Sequence, residues 1–223
     1  MIENNVPFKL FSTDFRNFKY YLPLLFYVIV FSGGFKDFRN FDFTSISINT
    51  FFSYILKYFS SSFLEEFLFR GLILGLFLVK YLKSKNGILK SVVFSGLTFG
   101  FIHIINFWTL EGQTFKGISN QVYATACFGI MYGATYLKTR SILTLGIIHF
   151  ISNFFSSIRE LKINDVVNYS NILASDKTFI SIVISEIFRI VIFGIPLIIG
   201  LYLIYNTKRE DLKKIIAKNH NVA

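Results

Sequence analysis

Six apolar stretches separated by short charged runs divide this chain, and their lengths predict helices rather than strands. A helix that crosses a bilayer needs ~20 mostly apolar residues. The chain offers such segments at 20–35, 50–79, 88–107, 118–137, 141–158 and 178–205. The second is too long for one upright crossing. Ser60, Ser61 and Ser62 mark the point where it is expected to divide into a short interfacial or re-entrant helix and a span beginning near Phe63. Ahead of the first segment, Phe8, Phe11, Phe15, Phe18 and Leu22 recur at helical spacing, with Lys9, Arg16 and Lys19 between them. That pattern predicts an amphipathic helix lying on the bilayer surface. No cleavable signal peptide is expected in residues 1–20, where no apolar run precedes a small-residue cleavage site. The expected fold is all-α: a polytopic transmembrane helix bundle of about six spans plus the N-terminal interfacial helix. Residues 1–223 form a single membrane-embedded domain in this reading.

Composition supports it. The chain is 53% hydrophobic, with a mean hydropathy of +0.54, values that belong to membrane proteins. The net charge of +10 does not predict nucleic-acid binding, because the basic residues fall in short clusters between apolar segments. Lys80, Lys83, Lys85 and Lys90 follow the second segment, Lys138 and Arg140 the fourth, and Lys208, Arg209, Lys213, Lys214 and Lys218 the last. The alternate connections 36–49, 108–117 and 159–177 are close to charge balance. By the positive-inside rule both termini are cytoplasmic and the protein is multi-pass, with the cell (plasma) membrane as its expected location. Trp108 falls just past the outer end of its span, where interfacial aromatics collect. Cys127 is the only cysteine, which excludes an intrachain disulfide and a cysteine-based zinc cluster.

Against this apolar background a few ionisable groups stand out. Glu65-Glu66-x-x-x-Arg70 lies in the second segment, and two of the three histidines, His103 and His149, lie in the third and fifth. Ionisable side chains at membrane depth are costly and mark functional sites by default. Counted from Lys80, Lys90 and Arg140, the three groups lie roughly 14–22 Å from the cytoplasmic edge at 1.5 Å per helical residue. Neighbouring helical positions point ~100° apart, so Glu65 and Glu66 cannot both face one small site. Glu66 and Arg70 are spaced for a same-face ion pair, which leaves Glu65 as the reactive carboxylate. The three together also suit a packing network. Phe99-x-x-x-His103 and His149-x-x-x-Asn153 each place two side chains on one helical face. The second pair can donate hydrogen bonds to a developing oxyanion, or serve as an interhelical clamp. Glu186 and Arg189 neutralise each other, Lys57 reaches toward an interface, and Gly71, Gly75, Gly96, Gly100, Gly129 and Gly133 recur at spacings that allow close helix contact.

Glu-Glu-x-x-x-Arg, Phe-x-x-x-His and His-x-x-x-Asn, in that order on three apolar helices, resemble the CPBP family. That family comprises CAAX prenyl proteases and bacteriocin-processing or self-immunity enzymes, which are intramembrane glutamic endopeptidases. The resemblance covers about residues 63–154 and departs at none of Glu65, Glu66, Arg70, His103, His149 and Asn153. It implies that Glu65 and His103 orient and deprotonate a water that attacks a peptide carbonyl. His149 and Asn153 would hold the oxyanion, and Glu66 and Arg70 would shape the site. The partners it implies are a peptide or membrane-protein substrate and the bilayer.

No cofactor is expected. Glu65, His103 and His149 do form a legitimate zinc-ligand set, so a zinc-dependent version of the same protease is the alternative; against it, the chain holds no His-Glu-x-x-His. Two other functions use the same residues. One is a non-catalytic bacteriocin self-immunity protein that binds its target through the buried polar groups. The other is a small transporter relaying protons through Glu65, His103 and Glu186, although the chain has no evident inverted repeat.

Overall fold

The computed structural model describes residues 15–31, 34–39, 41–44, 46–81, 83–109, 112–162 and 179–208. All regular structure among them is helical, with no strand. The helices are α1 (Leu22–Phe31), α2 (Gly34–Arg39), α3 (Ile48–Glu66), α4 (Leu74–Tyr81), α5 (Gly87–Ile102), α6 (Asn106–Thr109), α7 (Phe115–Thr139), α8 (Ile142–Ser156) and α9 (Phe179–Tyr205). Most of the expected amphipathic segment, and His220 in the tail, lie outside the described residues. Its end, Phe15–Tyr20, is a 3-10 helix leading into α1.

Local chemistry starts three of the long helices. Ser47, Thr114 and Ser141 cap α3, α7 and α8, their side chains accepting the backbone N–H of Thr50, Gly117 and Thr144. Such caps satisfy donors that the first helical turn leaves without partners. Arg140 closes α7 in the left-handed conformation, φ 58°, and Ser141 opens α8 at once. Only Arg140 and Ser141 separate α7 from α8.

The serine triplet does not divide the second segment. The chain stays helical from residue 48 to 81, a rod about 50 Å long, and the irregularity falls after Glu66. Phe67–Ile73 is a π-helix, and the Leu74 N–H reaches back five residues to the Phe69 carbonyl. A π turn widens a helix and recurs at functional sites; here it carries Arg70 and directly follows Glu65 and Glu66.

The core is built around α7, on which every residue from Gly129 to Leu137 is buried. It packs most extensively against α5 and α9, and α3 packs against α8. Glycines set the α5–α7 distance. A Cβ on Gly96 would stand 2.7 Å from the Ile130 backbone nitrogen, and one on Gly100 2.7 Å from the Val122 carbonyl oxygen. Gly96, Gly100 and Gly129 thus have the packing role expected of them, whereas Gly71 and Gly75 fall on the π turn and α4. Leu74, Val92, Met131, Ala134, Ile142 and Leu145 fill the centre with no measurable exposure. Pro196, inside α9, has no N–H to give the Ile192 carbonyl one turn back. Tyr27 supplies the missing donor, its hydroxyl bonding to the Ile192 carbonyl at 3.0 Å.

The outside is inverted relative to a water-soluble protein. Phe26, Phe52, Leu56, Leu64, Phe188 and Ile198 are each more than 60% exposed, an apolar surface of the kind that meets lipid. Among the described residues two helices, Gly87–Thr109 and Val183–Tyr205, are long and apolar enough to cross a membrane. The other expected spans differ for physical reasons. Helix α8 has 15 residues and α1 has 10, about 22 and 15 Å of rise, short of the ~30 Å hydrocarbon thickness. Helix α7 is long enough but carries polar positions, Gln121 and Thr125 among them, that line an internal cavity.

Candidate active site

That cavity, of about 560 Å³, opens between α1, α3, α5, α7 and α8, and Glu65, His103, His149 and Asn153 all line it. Three helices far apart in sequence thus deliver four of the six singled-out side chains to one space. Glu66 and Arg70 stand behind its wall, at 0% and 1% exposure.

The helical rotation between the two glutamates has the expected effect. Glu65 faces the cavity with 30% of its side chain exposed, and its Oε2 is 3.6 Å from His149 Nε2. Glu66 turns inward, with Oε2 3.1 Å from Arg70 Nε. Its other oxygen, Oε1, accepts a hydrogen bond from His149 Nδ1 at 2.8 Å. Glu66 therefore does more than neutralise Arg70: it fixes the ring orientation of a histidine 83 residues away. A carboxylate only accepts, so Nδ1 carries the proton and Nε2 is the nitrogen turned toward Glu65. His103 is held likewise, with Nδ1 donating to the Phe99 carbonyl at 2.8 Å. Both imidazoles are anchored through Nδ1 and keep Nε2 for chemistry.

The Arg70 guanidinium lies over the Phe99 and Tyr132 rings, 4.6 and 5.1 Å from their centroids. The rings stabilise the cation electrostatically, and its Nη1 and Nη2 have no hydrogen-bond partner among the described residues. Phe99 also meets the His103 ring edge-on at 5.1 Å. Tyr132, with its centroid 5.3 Å from that of His149, is a site residue that sequence reasoning missed. Its only trace in the sequence is an aromatic beside Gly133. Asn153 donates through Nδ2 to Ser62 Oγ at 3.0 Å, and Ser62 is likewise a site residue that the sequence reading passed over.

The remaining polar groups are structural pairs. Arg189 bonds both oxygens of Glu186 at 3.0 and 3.1 Å, and Lys116 reaches the same carboxylate from α7. Lys57 pairs with Glu160 at 2.8 Å. Cys127 is buried in α7. No group of three or more His, Cys, Asp or Glu among the described residues is arranged to hold a metal ion.

Residues 47–155 match the family profile described as type II CAAX prenyl endopeptidase Rce1-like. No curated protein sequence and no solved structure matches the chain. The matched segment runs from the N-cap of α3 almost to the end of α8 and contains every residue of the cluster described above. Over residues 47–155, just under half of the chain, it is similar to the Rce1-like, type II CAAX prenyl endopeptidase family.

Proposed function

We propose that this protein is an intramembrane endopeptidase that hydrolyses a peptide bond with a water activated by Glu65 and His103. The observation that carries the reading is the convergence of Glu65, His103, His149 and Asn153 on one cavity. A water held between the Glu65 carboxylate and His103 Nε2 attacks the scissile carbonyl. Its proton passes to Glu65 and is returned to the leaving amine as the C–N bond breaks, so the site ends as it began. The tetrahedral oxyanion is held by the Asn153 carboxamide and by His149 Nε2. His149 donates there as the imidazolium, with its Nδ1–H kept on Glu66, whose buried carboxylate supplies the counter-charge. Arg70, between Glu66 and two aromatic rings, locks that carboxylate in place.

The substrate is a peptide or membrane protein that reaches the cavity from the bilayer. The six apolar segments are six crossings of the plasma membrane in this reading, with both termini cytoplasmic. The exposed apolar surface of α1, α3, α5 and α9 supports it. Short helices such as α8 are accommodated where neighbouring helices and a wet cavity, rather than lipid, surround them.

The test uses the full chain in liposomes with quenched peptide reporters, prenylated and unprenylated. Glu65→Gln should lower turnover at least ~100-fold, the scale of a lost general base, while unfolding at the wild-type temperature. Turnover should persist in strong chelators. A Glu65→Gln protein that cleaves at the wild-type rate refutes the proposal.

A further inference from the structure

Two antiparallel helices, α3 and α8, meet across a pair of polar rungs. On α8, His149 and Asn153 are spaced i, i+4 and project from one face. On α3, Ser62 and Glu66 have the same spacing, and both are fully buried, at 0% exposure. Glu66 Oε1 accepts from His149 Nδ1 at 2.8 Å, and Ser62 Oγ accepts from Asn153 Nδ2 at 3.0 Å. The rungs lie one helical turn apart and in register. Close approach of the two helices permits this: at Gly146, one turn before His149, a Cβ would stand 2.9 Å from the Phe63 ring. Each side chain proposed to hold the oxyanion is therefore itself held by a buried partner from α3.

We propose that Ser62 is a positioning residue for catalysis, fixing the Asn153 carboxamide as Glu66 fixes the His149 imidazole. This rests on the oxyanion role assigned to Asn153 above. A primary amide has two N–H groups about 120° apart in one plane. Bonding one to Ser62 sets that plane and aims the other hydrogen from a fixed origin. Without Ser62, the carboxamide turns about its terminal torsion, which has broad and shallow preferences, and the donor is no longer preorganised. Burial gives the hydroxyl its role: at zero exposure no bulk water stands in for it. Ser61, one residue earlier, lines the cavity but bonds to the Tyr58 carbonyl, so the triplet contributes one positioning group.

The experiment is a double-mutant cycle on the full chain in liposomes, with kcat and KM measured for wild type, Ser62→Ala, Asn153→Ala and the double variant. Ser62→Ala should lower kcat about 10–100-fold, the range expected for a misaimed catalytic group, with KM within about twofold of wild type. In the Asn153→Ala background the same change should have no further effect on kcat, because the group it positions is gone. Losses that multiply in the double variant, an unchanged kcat for Ser62→Ala, or an effect confined to KM overturn the proposal. If Ser62→Ala does not accumulate, Ser62→Cys, which keeps the volume and offers a weak acceptor, enters the same cycle with the same outcomes. Glu65→Gln is carried in parallel. Cleavage by that variant refutes the peptidase reading itself, a result separable from any outcome at Ser62.

Discussion

Replacing both members of the buried Glu66–Arg70 pair should harm stability less than replacing Glu66 alone. In Glu66→Leu the Arg70 guanidinium, 1% exposed, keeps its charge, loses the Glu66 carboxylate and is too buried for bulk water to replace it. Its Nη1 and Nη2 already lack hydrogen-bond partners among the described residues, and two aromatic faces do not neutralise a full charge. Leaving a buried charge uncompensated costs about 3–5 kcal/mol. Arg70→Met is milder, because Glu66 retains the His149 Nδ1–H at 2.8 Å and loses one charge-assisted contact, about 1.5–3 kcal/mol. Glu66→Leu with Arg70→Met removes both charges and fills the space with apolar groups of similar length. Such replacements are often neutral or stabilising, and the lost acceptor of His149 Nδ1–H, about 1–3 kcal/mol, is common to Glu66→Leu and the double variant, so the double variant should be the more stable of the two. It should nonetheless be inactive, since His149 has lost its anchor. Thermal and denaturant unfolding in micelles measure stability, and the peptide reporter measures turnover. A double variant as unstable as the sum of the single changes would refute the assignment of the cost to an uncompensated charge.

Two further expectations concern packing. Tyr27→Phe strands the Ile192 carbonyl that Pro196 leaves unbonded, at a cost of about 1–3 kcal/mol. In a Pro196→Ala background, where the helix supplies its own N–H, the penalty should nearly vanish; an equal penalty in both backgrounds, read by thermal unfolding, would disprove the pairing. Gly96→Ala drives a Cβ to 2.7 Å from the Ile130 backbone nitrogen and should cost about 1–3 kcal/mol of overpacking. An unshifted unfolding temperature would show that α5 and α7 are not in tight contact there.

What the sequence reveals and what it hides follow one division. Features set within a single helix are legible: the divergence of Glu65 and Glu66, the Glu66–Arg70 spacing, the His149–Asn153 pair and the glycine stripe all follow from 3.6-residue periodicity. Features set by how two helices register are not. Nothing in the local pattern says that Glu66 receives His149 from 83 residues away, that Tyr132 closes over that ring, or that Ser62 bonds to Asn153. The serine triplet was misleading for the same reason. Serine weakens a helix by competing for its backbone groups, but Ser62 is used across the interface and the helix runs on. The π-helix has no side-chain signature, because it is a backbone register. Of the six expected crossings, two are matched by helices that pass on length and apolarity among the described residues. Helices that line a polar cavity or pack inside a bundle need not be uniformly apolar, so composition under-reports them.

The wide turn at Phe67–Ile73 makes the protein tolerant of a change in chain length at this one place. Relative to an ordinary α-helix it accommodates an extra residue, and losing one residue there would let the ladder revert to four-residue spacing. The helix beyond would then keep nearly its present phase, with Leu74 and Leu78 still in the core with Val92 and Met131, whereas the same loss from α4 would rotate everything after it by about 100°. The upstream half of the rod, with Ser62, Glu65 and Glu66, would stay docked on α8. A one-codon deletion within the wide turn would thus leave both halves of the rod seated and fall chiefly on the placement of Arg70 between them.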